Sequence, residues 1–382
     1  MELLLSKGAT TGAINSSNDT PFNLAVRNGY TNIMELLLKN GASGESMDED
    51  SSALLHRAAS SDHTRVVELL LSQGVSIEAT DHGNRTPLHH AASSGHPGTV
   101  ELLLSKGASA EAMSHTGTPL HLAASGGYTG VVELLLSKGV STEAVDLFKN
   151  TPLHHAALGG RTGTVELLLS RGASIEAIGD DNKTPLHHAA SSIHTSTVEL
   201  LLSKGASIDS WYSTHGTPLH CAALGGHTGT VDLLLPKGAS IEATSCTGTP
   251  LHHAASDGHT GTVELLLEKG ALIEATGEFN RTPLHCAASS GFSTTVELLL
   301  SKGASTEAMD SYGNTSLHDA LSNGHASTVE LLLSKGASIA ARNSFKCTPL
   351  HLARYHCPDA VKLLQNKAIE LDNYSKVSTL PG

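Results

Sequence analysis

The sequence predicts an all-α solenoid, in which tandem helix-turn-helix units stack side by side and send out hairpin-like loops. Three observations predict it. A segment reading Thr-Pro-Leu-His-x-Ala-Ala recurs every 32 or 33 residues. Each copy is followed at a fixed distance by Val-x-Leu-Leu-Leu and then by Gly-Ala or Gly-Val. Aromatic residues make up only 3% of the 382, and Leu and Ala dominate the apolar set, so the core must be thin and built from small aliphatic side chains. Short self-similar units that bury surface only against their neighbours have this composition and period.

The first helix of each unit is punctuated at its start. TPLHHAA begins at Thr86, Thr151, Thr184 and Thr249, TPLHLAA at Thr118, and TPLHCAA at Thr217 and Thr282. Weaker copies begin at Thr20, Ala53, Thr315 and Thr348. In Thr86-Pro87-Leu88-His89 the Thr is a good N-cap, and Pro suits the first helical position, where its missing N–H costs nothing. Leu88, Ala91 and Ala92 then fall at i, i+3 and i+4, giving a narrow apolar stripe whose small Ala side chains let neighbouring helices approach closely. Gly95 ends this helix. The second helix is Val100-Glu101-Leu102-Leu103-Leu104, closed by Lys106 in the last turn and by Gly107 as a left-handed C-cap. An extended turn carries the chain to the next Thr-Pro.

The TPLHxAA, Gly-His and VxLLLxxGA segments, in register copy after copy, closely resemble the ankyrin repeat. The resemblance implies L-shaped units with stacked helices and projecting fingers, and protein partners bound along the fingers and inner helices. Eleven repeats are expected over residues 20–371, starting near 20, 53, 86, 118, 151, 184, 217, 249, 282, 315 and 348. The family opens its finger with Asp and closes it with Gly; here that stretch varies, as in Asp81-His82-Gly83-Asn84, Asp146-Leu147-Phe148-Lys149 and Gly179-Asp180-Asp181-Asn182. A finger position that is often Asn in the family, and is hydroxylated in some members, is here Glu78, Glu111, Glu143, Glu176, Asp209, Glu242, Glu274 and Glu307, so that modification is not expected.

Residues 1–19 read as the second helix and finger of a truncated repeat, because Met1-Glu2-Leu3-Leu4-Leu5-Ser6-Lys7-Gly8-Ala9 matches the internal second helices. That start suggests a fragment or an internal start codon. At the other end Val361-Lys362-Leu363-Leu364-Gln365-Asn366 exchanges apolar for polar positions, as a capping helix would, and 372–382 is expected to be a frayed polar tail.

The formal charge is −13 and no Lys or Arg cluster could neutralise a run of phosphates, so a protein with a basic or neutral surface is the expected partner, with no direct nucleic acid contact. No apolar run approaches the roughly 18 residues of a membrane span, and no signal peptide is evident. A monomeric intracellular array is expected, cytoplasmic with the nucleus as the alternative. Cys221, Cys246, Cys286, Cys347 and Cys357 are odd in number and lack C-x-x-C spacing, so reduced thiols are expected.

Of 24 histidines, ten occupy the TPLH slot, where the family resemblance implies a bond to the Thr and a bridge to the next repeat. The second residue of each His pair, His90, His155, His188 and His253, lies about 200° from the buried Leu and is expected to be an exposed groove residue that touches the partner. No metal or cofactor is expected, because ligands of one zinc sit about 2 Å from it whereas stacked helices are about 8–10 Å apart. Ser, His, Asp and Glu recur in columns rather than around one pocket, which argues against an enzyme. Six of the twelve aromatics fall in finger tips: Phe148, Trp211, Tyr212, Phe279, Tyr312 and Phe345. Exposed rings are enriched at interface hot spots. These, with the four groove histidines, are the expected contact set, the alternative for the rings being packing against a neighbouring finger; as contacts, replacing Trp211 and Tyr212 by Ser is expected to weaken binding without lowering the melting temperature. The function expected is a non-enzymatic scaffold or adaptor; the alternative is a regulatory array of a larger multidomain protein, such as one with a nucleotide switch.

Overall fold

The computed structural model describes residues 7–16, 19–40, 50–212 and 216–378. The chain divides into two compact units, Met1–Asp180 and Asp181–Gly382. Among the described residues there are helices and no strands, the only β-type pairing being two isolated bridges, Ser114 with Gly117 and Tyr212 with Gly216. The fold is an all-α solenoid, and its loops are hairpin-like in path rather than by a ladder.

In the first unit, helix pairs begin at Pro21–Arg27 with Thr31–Lys39, Asp50–Ser60 with Thr64–Ser72, Pro87–Ser93 with Pro97–Ser105, Pro119–Gly126 with Thr129–Ser137, and Pro152–Leu158 with Thr162–Ser170. First helices pack on first helices and second on second, so each pair is buried by its neighbours. The second unit repeats this from Pro185–Ala190 with Thr195–Ser203 to Pro349–His356 with Pro358–Ser378.

Local chemistry explains the boundaries. Thr86 is extended at φ −84°, ψ 167°, with Pro87 as the first helical residue and a reciprocal capping box to His89. Where both Thr and Pro are missing, the start moves: the helix expected near Ala53 begins at Asp50, whereas Thr315 alone keeps its helix starting at Ser316. Pro236 stands where most second helices have Ser, and the α-helix Thr228–Leu234 stops short there, finishing in a 3-10 turn, Leu235–Lys237. Gly107 has φ +94°, the left-handed turn that closes the second helix.

The core is the predicted stripe. Leu88, Ala91, Ala92, Val100 and Leu103 are fully buried, and the same columns are buried through Leu317, Ala320, Val329 and Leu332. Glu101 and its counterparts Glu133, Glu166 and Glu199 stay exposed on the outer helices, where Arg171 reaches Glu133 at 2.9 Å and Lys302 reaches Glu264 at 3.3 Å.

The helix Pro358–Ser378 runs through most of the segment expected to fray from Asp372. Between Pro358 and Ser378 there is neither Gly nor a second Pro to stop it. Residues 1–6 and 17–18 of the proposed truncated repeat and 379–382 of the tail lie outside the described residues.

Candidate functional site

Finger and inner helix are joined first by the TPLH imidazole. His89 Nδ1 accepts the Thr86 N–H at 3.1 Å, which places the ring proton on Nε2, and Nε2–H donates to the Gly117 carbonyl of the following finger at 3.2 Å. His121 does the same to Asn150 at 3.0 Å. In the second unit His220, His252 and His285 bridge to Gly248, Arg281 and Asn314. Both nitrogens are used in the neutral form, and a second ring proton would face the Thr N–H. Burial pushes His89, His121 and His220 down to about 4 and lowers His252 and His318 as well.

A second His column couples backwards. His96, His227, His259 and His325 each lie 2.9 Å from a carbonyl at the end of the preceding first helix, as with His96 and Ser60. The finger carboxylates add a third link. Glu78 accepts the Ser109 N–H at 2.7 Å, Glu143 that of Ser174 at 2.9 Å, Glu242 that of Leu272 at 2.8 Å and Glu274 that of Ser305 at 2.7 Å. The acidic column that stands in place of Asn is therefore a structural staple between fingers.

The finger tips are shaped by an Asx turn. Asp146 Oδ1 accepts the N–H groups of Phe148 at 2.8 Å and Asn150 at 2.9 Å, and Asp310 holds Tyr312 and Asn314 at 2.8 Å each. Asn343 does the same for Phe345 at 3.1 Å and Cys347 at 2.9 Å. The second residue of the His pairs supports this turn from the inner helix: His155 Nε2 lies 2.8 Å from Asp146 Oδ2, and His90 Nε2 lies 2.9 Å from Asp81 Oδ2. Burial raises the Asp146 carboxyl, but its bonds to His155, Asn150 and Phe148 outweigh that and hold it below the usual value.

These contacts correct the exposure expected of the paired histidines. His90, His155 and His188 are half-buried, and His253 is buried, its Nε2 2.8 Å from the Thr247 hydroxyl and 3.0 Å from that of Ser245. The finger folds back over the inner helix and covers the face that helical geometry alone would leave open.

Five of the six aromatics are exposed at the tips: Phe148, Trp211, Phe279, Tyr312 and Phe345, the last at 72%. Tyr212, expected among them, is 3% exposed. It sits where other fingers carry the turn-forming Asp, and its ring meets His187 edge-on at 4.9 Å with Lys183 5.0 Å from its centroid. In the second unit Phe279, Tyr312 and Phe345 hold the same position on three successive fingers, 33 residues apart. The Phe279 and Tyr312 centroids are 5.6 Å apart. Main-chain bonds fix the fingers to one another, Ser311 N–H to the Phe279 carbonyl at 2.7 Å and Ser344 N–H to that of Tyr312 at 2.8 Å.

Beside Phe279 opens a cleft of about 370 Å³, lined by Leu224, Thr247, His252, His253, Ser256, Glu278, Phe279, Arg281 and Cys286. Its finger, like that of residues 179–182, departs from those that carry the turn Asp. Gly277 replaces the turn Asp, and a Cβ there would come within 2.7 Å of the Thr247 carbonyl oxygen. Without that carboxylate the tip turns through two left-handed residues, Phe279 at φ +55° and Asn280 at φ +56°. A left-handed Phe costs roughly 1 kcal/mol or more and persists only where its surroundings enforce it. Arg281 Nη2 donates to Asp319 at 2.9 Å and to the His285 carbonyl at 3.2 Å. This pair and the cleft were missed from sequence; the available signal was Asp319, the one acidic residue in the column that holds His, Leu or Cys in the other TPLH repeats.

Reactive chemistry finds little support in these groups. Burial pushes the Cys221 and Cys286 thiols up to about 11, which keeps them protonated. Among the described residues no three His, Cys, Asp or Glu side chains gather as metal ligands would.

A family model described as ankyrin repeats (3 copies) matches residues 1–81, 55–146, 141–211, 209–277 and 272–343. The chain belongs to the ankyrin-repeat family. Such repeats are generally protein–protein interaction modules and typically non-enzymatic. No curated protein matches the chain. No helix among the described residues is long and apolar enough to cross a membrane.

Proposed function

We propose that the chain is a non-enzymatic scaffold or adaptor that binds another protein across its finger tips and the adjoining inner helices. The observation that carries this reading is the row Phe279, Tyr312 and Phe345, all exposed on fingers whose backbones are tied together. Aromatic rings held rigidly at a surface lose little conformational freedom on binding, and one such anchor contributes about 2 kcal/mol or more. The finger turn does not itself require a large ring at this position, since Gly83 and His115 occupy it elsewhere.

The test is quantitative affinity capture from cell extract with the full chain against Phe279→Ser/Tyr312→Ser/Phe345→Ser, with melting followed in parallel. The proposal expects loss of a discrete set of bound proteins at an unchanged melting temperature. An identical captured set would refute it.

A further inference from the structure

The shape and the charge of the cleft beside Phe279 both follow from particular residues. Its apolar wall is Leu224, the Phe279 ring and Cys286, whose protonated thiol is an apolar neighbour rather than a nucleophile. Cys286 occupies the column where His90, His155, His188 and His253 stand in other repeats, and its shorter side chain leaves the inner-helix side of the cleft open. The polar lining is already committed internally. The Thr247 hydroxyl meets His253 at 2.8 Å, and the Ser256 hydroxyl donates to the His253 carbonyl at 3.0 Å and to Asp257 at 3.2 Å. A volume of about 370 Å³ lies at the lower end of sites that enclose small ligands, roughly 300–1,000 Å³.

The surrounding charge is negative. Arg281 is the one cation in the lining and it is paired to Asp319, which is largely buried, so its charge is spent within the chain. Glu278 lines the cleft beside the Phe279 ring, Asp257 meets Ser256 on its wall, and Asp310 acts on the Arg281–Asp319 pair from the next finger. The guanidinium makes both of its bonds through Nη2, which leaves Nε and Nη1 without a bond among the described residues and able to donate to a main-chain carbonyl.

We propose that this cleft receives one apolar side chain of an extended segment from a partner protein, and that a Lys or Arg within about two residues of it seats on the Phe279–Tyr312 rings against Glu278. An extended strand rises about 3.3 Å per residue, so neighbouring side chains reach both the cleft and the ring pair, whose centroids lie 5.6 Å apart. A cation over aromatic faces with a carboxylate at its edge satisfies both the quadrupole of the rings and the negative field. Phe279 has a left-handed backbone at φ +55°, and its ring lines the cleft. This inference rests on the scaffold reading above and narrows it to one class of partner sequence.

The test pans a randomised peptide library on the full chain and measures the enriched peptides by fluorescence anisotropy. The expected motif couples Lys or Arg to a nearby apolar residue. Cys286→Leu, a side chain that the same column carries at Leu122 and Leu352, fills the cleft and weakens binding tenfold or more, as does Glu278→Lys. Glu297→Lys, the same charge change on an exposed outer helix, leaves affinity unaltered. Raising salt weakens binding to the wild-type chain. Enrichment of acidic peptides, no enrichment at all, or equal affinity for the wild type and both cleft variants overturns the proposal. In those cases the scaffold reading still stands or falls on capture of folded proteins by the triple serine variant.

Discussion

Mild acid should loosen the array, because the TPLH imidazoles are buried in the neutral form. An unfolded His titrates near 6.5, whereas burial holds His89, His121 and His220 at about 4. A folded value below the unfolded one means that the stabilisation is complete above about 6.5 and is lost as pH falls toward 4. At a pH of about 5.5 each such residue forfeits about 1.4 kcal/mol, so His89 and His121 together remove about 3 kcal/mol from the first unit. For a unit of that size the melting temperature falls by roughly 6 °C or more. The assay is thermal unfolding by far-ultraviolet circular dichroism between pH about 7.5 and about 5.5, with His121→Gln expected to show a shallower dependence. Asp81 and Asp146 are held below the usual carboxylate value, so their contribution is lost only as pH falls below 3.8, outside this window. A flat melting temperature, or a fall confined to pH below about 4, would refute the reasoning.

Tyr212→Ser is expected to lower stability by about 3 kcal/mol through loss of a buried ring, whereas Trp211→Ser leaves melting unchanged; chemical denaturation separates the two. Asp146→Ala removes the acceptor for two tip amides and for His155, so hydrogen exchange at Phe148 and Asn150 should quicken about tenfold or more, with wild-type rates counting against the brace. Glu274→Ala breaks the staple to Ser305 N–H and should cost about 0.5–1.5 kcal/mol, a modest loss measurable by urea unfolding.

The helices were legible because their signals are local. Thr-Pro marks a cap within two residues, and Leu88, Ala91 and Ala92 form a stripe within one turn. What escaped the sequence depends on pairs far apart in it. Asp81 and His90 are nine residues apart, and their meeting requires knowing that the finger folds back over the inner helix. Glu274 and Ser305 are 31 apart and meet only through stacking. Tyr212 was misjudged because aromatic character suggested exposure, while its place in the finger is that of a turn-forming Asp turned inward. The cleft is lined by residues as far apart in the chain as Leu224, Thr247 and Cys286, which only the stacking of repeats brings together.

The central claim, that partners are held by the finger tips of the second unit, is tested most directly by site-specific photo-cross-linking in cells. A benzophenone amino acid placed at Phe279, Tyr312 or Phe345 in the full chain should yield discrete protein adducts, while the same group at Glu264 or Glu297 on the outer helices should yield none. Adducts from the outer helices with none from the three tips would contradict the account.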